Sequence, residues 1–202
     1  MSVTVLLASS NQGKLAEFLA MSDSVILPRS PIRLALLGNF ADGPAFEESA
    51  PTFAENAAGK AMHYSRFTED AVLADDSGLV VPALGGAPGV RSARYAGPNA
   101  TSEQRNAKLL YEMRDLAAEN RRAYFVCVLA IAIKGAPTAI ISARADGEIL
   151  SGPRGNAGFG YDPIFYLREL DKTFAELTGD EKNALSHRGK AFRRLLSVIT
   201  GL

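Results

Sequence analysis

The chain holds one cysteine, Cys127, among 202 residues, so it cannot form an internal disulfide. A reducing compartment suits such a chain best. Cys127 lies in the apolar run AYFVCVLAIAI, where a buried structural thiol is expected rather than a nucleophile. Net charge is missing too, since 22 Lys and Arg balance 22 Asp and Glu. Without a global field nothing draws the chain to nucleic acid or to an anionic membrane, and any polyanionic ligand must be met by a local site. No apolar run approaches the length of about 18 residues that a membrane helix needs. The opening MSVTVLLASSNQGK lacks the long apolar stretch and basic flank of a signal peptide. A soluble cytoplasmic protein is expected. The Walker pattern G-x-x-x-x-G-K-[ST], the dinucleotide fingerprint G-x-G-x-x-G and the D-x-D-x-[TV] of haloacid-type phosphatases are absent. So are internal repeats, low-complexity tracts and any linker that would divide the chain.

What is present alternates strand and helix signals, the pattern of an α/β layer architecture, here read as one domain over residues 1–202. Ser2–Ala8 reads as a buried strand, SSNQGK as a turn and Lys14–Met21 as a helix. Val25–Leu27 is a short strand candidate closed by Pro28 and Pro31. Thr52 and Glu55 are spaced as a capping box ahead of a helix with Phe53, Ala57, Lys60, Ala61 and Tyr64 at helical intervals. Ala71–Ala74 reads as a strand and LVVPAL as a second short extended piece, with Asp75, Asp76, Ser77 and Gly78 between them. Thr101 with Gln104 opens another helix, whose Leu109, Leu110, Met113 and Leu116 share a face. Ala123–Ile133 and Pro137–Ala145 form a hairpin joined by KGA. Ser151–Pro163 is too rich in glycine to be regular. Thr178 and Glu181 begin a last helical region through Lys182, Ser186, His187 and Arg188.

Several of these stretches carry chemistry, each with a plainer reading beside it. SSNQGK, Ser9–Lys14, stands between strand and helix, where backbone N–H groups and a helix dipole face any anion. Taken alone it is more simply a polar turn capped by Ser10 or Asn11. Adjacent carboxylates at Asp75 and Asp76 repel and resist burial unless a cation shares the site. Mg²⁺ suits them, because it takes one or two carboxylates and completes its shell with water and substrate phosphates. An Asx turn at a corner explains DDSG equally well. Glu47 and Glu48 form a second acidic pair, by default solvated. In GFGYDP, Phe159 and Tyr161 offer aromatic faces that stack on a base, although Phe159 also suits a core plug. SHRGK gathers His187, Arg188 and Lys190 near Lys182, either a solvated basic face or a donor cluster.

The order of these segments resembles the inosine triphosphate pyrophosphatase family. The match reads SxNxxK at Ser9, Asn11 and Lys14; FxENAxxKA at Phe53–Ala61; ADDSGLxVxxLGGxPGVxSARYAG at Ala74–Gly97; GFGYDPxF at Gly158–Phe165; and AELTxxEKNxxSHRxxA at Ala175–Ala191. Leu185 stands where isoleucine is usual and Ala143 where glycine is common, and Pro28–Glu47 shows little similarity.

The resemblance implies an α/β fold with a mixed, twisted central sheet flanked by helices, elongated and two-lobed, with a cleft between the lobes. It implies hydrolysis of ITP, dITP and XTP to monophosphate and pyrophosphate with Mg²⁺, in a cytoplasmic homodimer that has no nucleic-acid or membrane partner. Carried over residue by residue, Ser9, Ser10, Asn11, Gln12, Gly13 and Lys14 hold the triphosphate with help from Lys60. Asp76 activates water and shares the metal with Glu48 and Asp75, and Ser77 touches substrate. Phe159, Gly160, Tyr161 and Asp162 take the base, with Lys182, His187 and Arg188 at its edge. Two rivals stand beside this expectation: a pyrophosphatase of modified pyrimidine or methylated nucleotides, and a nucleotide-binding module without turnover.

Overall fold

A computed structural model describes residues 3–9, 11–24, 32–37 and 45–200. Strand β1 is Val3–Ala8, helix α1 Gln12–Ser24, β2 Ile32–Leu36, α2 Phe53–Tyr64 and β3 Ala71–Val80. Then come α3 Ser102–Glu112, β4 Arg122–Ile133, β5 Ala136–Ile149, β6 Phe165–Leu167, β7 Lys172–Thr173, α4 Gly179–Leu185 and α5 His187–Thr200. The sheet runs in the order β2-β1-β3-β4-β5-β6-β7. It is mixed: β1 is parallel to β2 and β3, whereas β6 is antiparallel to β5 and β7. The expected mixed α/β sheet with flanking helices is therefore present. Among the described residues no helix is long and apolar enough to cross a membrane.

The chain divides into two compact units, each with its own core. The first holds residues up to Asp76, Cys127–Ala143 and Arg188 onward; the second holds Ser77–Val126 and Arg144–His187. In the first unit, strand alternation sorts side chains onto two faces. Ala71 and Leu73 of β3 pack with Leu15 and Phe18 of α1 and with Phe192 and Leu195 of α5. Val72 and Ala74 face the other way, against Ala57 and Ala61 of α2. In the second unit, Leu109 of α3 and Met113, which caps its end, close over Phe125, Ile149, Phe165 and Phe174.

Local signals account for most boundaries. Thr101 and Gln104 make a reciprocal capping box, as do Thr178 and Glu181. Thr52 caps α2 by accepting from the Glu55 N–H at 3.2 Å, while its hydroxyl donates to the Glu55 carboxylate. The β4–β5 turn is two residues, Lys134 and Gly135, both at positive φ, the geometry that matches strand twist in a tight hairpin.

Three sequence expectations change. DDSG is no corner: β3 runs unbroken from Ala71 to Val80, so the Asx-turn reading is excluded. The last helical region is two helices, because Ser186 is extended, with ψ 159°, and separates α4 from α5. Beyond Ala145, β5 continues to Ile149, whose N–H bonds the Arg121 carbonyl at 2.9 Å. The strand candidate Val25–Leu27 lies outside the described residues.

Candidate functional site

Asp75 and Asp76 are neighbours in β3, so their side chains leave opposite faces of the sheet. Asp75 shares the face of Leu73, and it is fully buried. Lys14, from the first turn of α1, places Nζ 2.8 Å from Asp75 Oδ2. Burial alone raises such a carboxyl, but Lys14, Lys60 and Arg188 outweigh it and hold Asp75 down at about 2. Arg188, at the start of α5, is itself buried and paired with Glu17 of α1. Burial works against its charge, yet Glu17 and Asp75 keep it firmly protonated. Cys127 lies under the same cluster; burial first, then Asp75, push its thiol up to about 12, so it is the inert structural group expected.

Asp76 takes the other face, toward α2. Asn56 donates from Nδ2 to Asp76 Oδ2 at 3.0 Å. Burial pushes Asp76 up to about 6; the Asn56 bond and Lys14 pull it down, while Glu48 and Asp75 push it further up. Lys60 of α2 pairs with Glu48 and donates to the Asp75 carbonyl oxygen at 2.7 Å. Burial disfavours the Lys60 ammonium, but Asp75 and Glu48 more than restore it. Glu48 is thus drawn in among the charges, whereas Glu47 is exposed.

The turn after β1 ends in a cap. Asn11 Oδ1 accepts from the Lys14 N–H at 3.1 Å, and Ser9 Oγ from the Asn11 N–H at 3.3 Å. Asn11 and Gln12 stay exposed and Gly13 half-buried, so this helix start remains accessible. Ser10 lies outside the described residues.

The aromatic loop belongs to the second unit. Gly158 and Gly160 sit at positive φ, and a Cβ at Gly158 would lie 2.2 Å from Asp162 Oδ2, so only glycine fits there. That oxygen accepts from the Phe159 N–H at 2.8 Å and from Lys182 Nζ at 2.5 Å. Lys182 Nζ also lies 4.7 Å from the Phe159 ring centroid, and Phe159 stays half-exposed rather than joining the core. Gly160 offers its carbonyl to Asn106 Nδ2 at 3.1 Å. Tyr161 is buried, its hydroxyl donating to the Ser92 carbonyl at 2.9 Å. His187 stacks flat on Phe125, centroids 4.7 Å apart. Ser77, half-buried in β3, opens this unit.

The expected residues therefore fall into two sets. Lys14, Glu48, Lys60, Asp75, Asp76 and Arg188 come together in the first unit; Phe159, Gly160, Tyr161, Asp162, Lys182 and His187 in the second. Arg188, expected beside Lys182 and His187, is paired with Glu17 of α1. Among the described residues no three acidic, imidazole or thiol groups form a metal cage, so Asp75, Asp76 and Glu48 do not converge as one cluster. The donor set still suits Mg²⁺, which needs only one or two carboxylates. Asp76 and Glu48 are mutually repelling carboxylates on one side, and Asp75 is already neutralised by Lys14. Sequence reasoning missed Glu17 and Asn56. Glu17 has only its spacing from Lys14 along α1 as a signal, while Asn56 is spelled out in the ENA of FxENAxxKA.

Comparison with known proteins gives a consistent picture. The Ham1 family profile matches residues 5–198. The dITP/XTP pyrophosphatase of Geobacillus kaustophilus is 49% identical over 191 residues, covering 95% of this chain and 91% of that one. The dITP/XTP pyrophosphatase of Geobacter sulfurreducens is 46% identical, covering 95% and 94%. A HAM1 protein from Coxiella burnetii superposes with a TM-score of 0.87 at 43% identity, over 99% of this chain and 100% of that one.

Asp76 generates a stability prediction. Its folded value is above the ordinary carboxylate value of 3.8, so its contribution to stability is full below that pH and is lost as pH rises through about 6. In metal-free protein, Asp76→Asn should therefore stabilise the fold by about 1–3 kcal/mol at pH 8, with no gain at pH 4. Thermal melts of both proteins check this; equal melting temperatures at pH 8 would refute it.

Proposed function

Because the chain belongs to the Ham1 family, we propose that it is a nucleoside-triphosphate pyrophosphatase that hydrolyses ITP, dITP and XTP to the monophosphate and pyrophosphate, clearing deaminated purines from the nucleotide pool. The observation that carries the reading is Asp76, a buried carboxylate held up at about 6 beside two lysines that attract anions. A base poised near working pH takes a proton from water most effectively.

The phosphate end of the substrate belongs to the first unit. Ser9, Asn11, Gln12 and Gly13 bring backbone donors near the start of α1, Ser10 joins them in holding the triphosphate, and Lys14 and Lys60 neutralise the charge that spreads over the phosphoryl oxygens in the transition state. Asp76 accepts the proton of the attacking water, which adds at the α-phosphorus as the bond to the β-phosphate bridging oxygen breaks. Pyrophosphate leaves, its charge met by the lysines. Mg²⁺ would be held by Asp76 and Glu48, with Asp75 in the outer layer, and would supply further neutralisation of the phosphates. Arg188, buried against Glu17, keeps Asp75 ionised and so keeps Lys14 in place.

The base belongs to the second unit. The half-exposed face of Phe159 offers a stacking surface, on a loop whose glycines and Asp162 fix its shape. Lys182 and His187 donate toward the purine edge, and Ser77 contacts the sugar-phosphate part. Hypoxanthine and xanthine present a keto oxygen at the six position where adenine presents an amino group. Donors left without that oxygen cost about 1–3 kcal/mol each, enough to disfavour ATP. The protein is further proposed to act in the cytoplasm as a homodimer.

The purified protein with Mg²⁺ and a panel of ITP, dITP, XTP, GTP and ATP should release pyrophosphate first, fastest from the deaminated purines. Orthophosphate as first product would overturn cleavage between the α and β phosphates. In the same assay Asp76→Asn should lower kcat by about 10²–10⁴, the usual contribution of a general base. Selectivity is a separate matter: His187→Ala should narrow the ratio of kcat/KM for ITP over ATP, and an unchanged ratio would remove His187 from the base edge.

A further inference from the structure

We propose that Asn56 is a positioning residue that locks Asp76 to the loop carrying Glu48, setting the relative placement of the two carboxylates assigned to the metal. The inference rests on the pyrophosphatase reading above and adds a residue to it. Asn56 sits one turn into α2 and is 1% exposed. Its side-chain amide makes three bonds. Nδ2 donates to Asp76 Oδ2 at 3.0 Å and to the Ala50 carbonyl at 3.3 Å, and Oδ1 accepts from the Ala50 N–H at 2.9 Å. One amide thus grips both backbone groups of a residue two positions after Glu48, and at the same time the carboxylate expected to activate water.

Only a primary amide meets these demands, since it offers two N–H donors and an acceptor on one planar group. Aspartate at this position keeps the acceptor and loses both donors, and it adds a charge beside Asp76. Serine is too short to span Ala50 and Asp76. The Asp76 bond fixes the rotation of that carboxylate, while the two Ala50 bonds fix the path of the backbone that presents Glu48.

The described part of the loop is fastened to α2 at other points as well. The Phe46 N–H donates to Tyr64 Oη at 3.3 Å, and the Phe46 ring packs so close over Gly59 that a Cβ there would lie 2.8 Å from Phe46 Cζ. Lys60 holds the Glu48 carboxylate. Loop and helix are therefore joined at four places along α2, at Asn56, Gly59, Lys60 and Tyr64, and Asn56 also bonds Asp76. Partners that orient metal-binding carboxylates typically matter about 10–100-fold in metal affinity or turnover.

The test uses Asn56→Asp and Asn56→Ser in the full chain, with Tyr64→Phe loosening the same loop at its other end. Circular dichroism and a thermal melt establish folding. Mn²⁺ affinity is then measured by calorimetry without nucleotide, and kcat and KM with dITP. The expected result is folded Asn56 variants with Mn²⁺ affinity weakened about tenfold or more, kcat down about 10–100-fold and KM within about twofold, against near-normal values for Tyr64→Phe. Wild-type Mn²⁺ affinity and kcat in a folded Asn56 variant would overturn the proposal. So would equal losses in Tyr64→Phe, which would implicate the loop alone, or failure of both Asn56 variants to fold, which would make Asn56 a residue of the fold. If the wild-type protein released no pyrophosphate, the functional reading would fail by itself, and the calorimetry would still decide whether Asn56 links the two carboxylates.

Discussion

Two carboxylates side by side in a core strand are tolerable only because a pleated strand sends successive side chains to opposite faces. β3 uses this directly. Asp75 enters the layer under α1 and α5, where Lys14 and Arg188 await it, and Asp76 enters the layer under α2, where Asn56 meets it. Each acid then has surroundings of its own, and the strand between them stays hydrogen-bonded and rigid. Lys14, Lys60, Glu48, Glu17 and Arg188 are arranged around that split.

The split also differentiates the pair. Asp75 is compensated several times over and is held at about 2, so it remains an anion throughout the working range and serves as an anchor for cations. Asp76 is raised chiefly by burial, and further by the like charge of Glu48, against the Asn56 bond and Lys14, and it is held near 6. Two chemically identical residues become a fixed counter-ion and a carboxyl poised near neutrality by burial and company alone. The acid held near 6 is costly to the fold when ionised, as working groups often are.

Much of this was legible in the sequence. The capping residues Thr52, Thr101 and Thr178, the hairpin at Lys134 and Gly135 and the irregular glycine loop are local signals, decided by a few neighbouring atoms. The acidic pair was visible, but not its geometry. Asp, Asp, Ser and Gly are all poor strand formers, and nothing local shows that buried lysines and an asparagine override that preference. Ser186 is similar: a helical spacing persists across it while its own backbone turns extended, which sets Lys182 of α4 apart from His187 and Arg188 of α5. Adjacency in SHRGK and the family motif both group Arg188 with its basic neighbours. Its partner, Glu17, is remote in the chain and becomes visible only once α1 and α5 lie on the same sheet face. Asn56 stood inside a quoted motif yet reads there as an ordinary helix residue.

The alternation in β3 restricts the kinds of change the gene can absorb. Conservative replacements at Val72, Leu73 or Ala74 alter only packing, but a single codon gained or lost ahead of Asp75 would exchange the faces of both acids. Asp75 would then meet Asn56 in place of Lys14, and Asp76 would be driven among the cations. Length, more than composition, is therefore the heritable quantity in this segment, and drift within the family should run through substitution there and reserve insertions for segments outside the sheet.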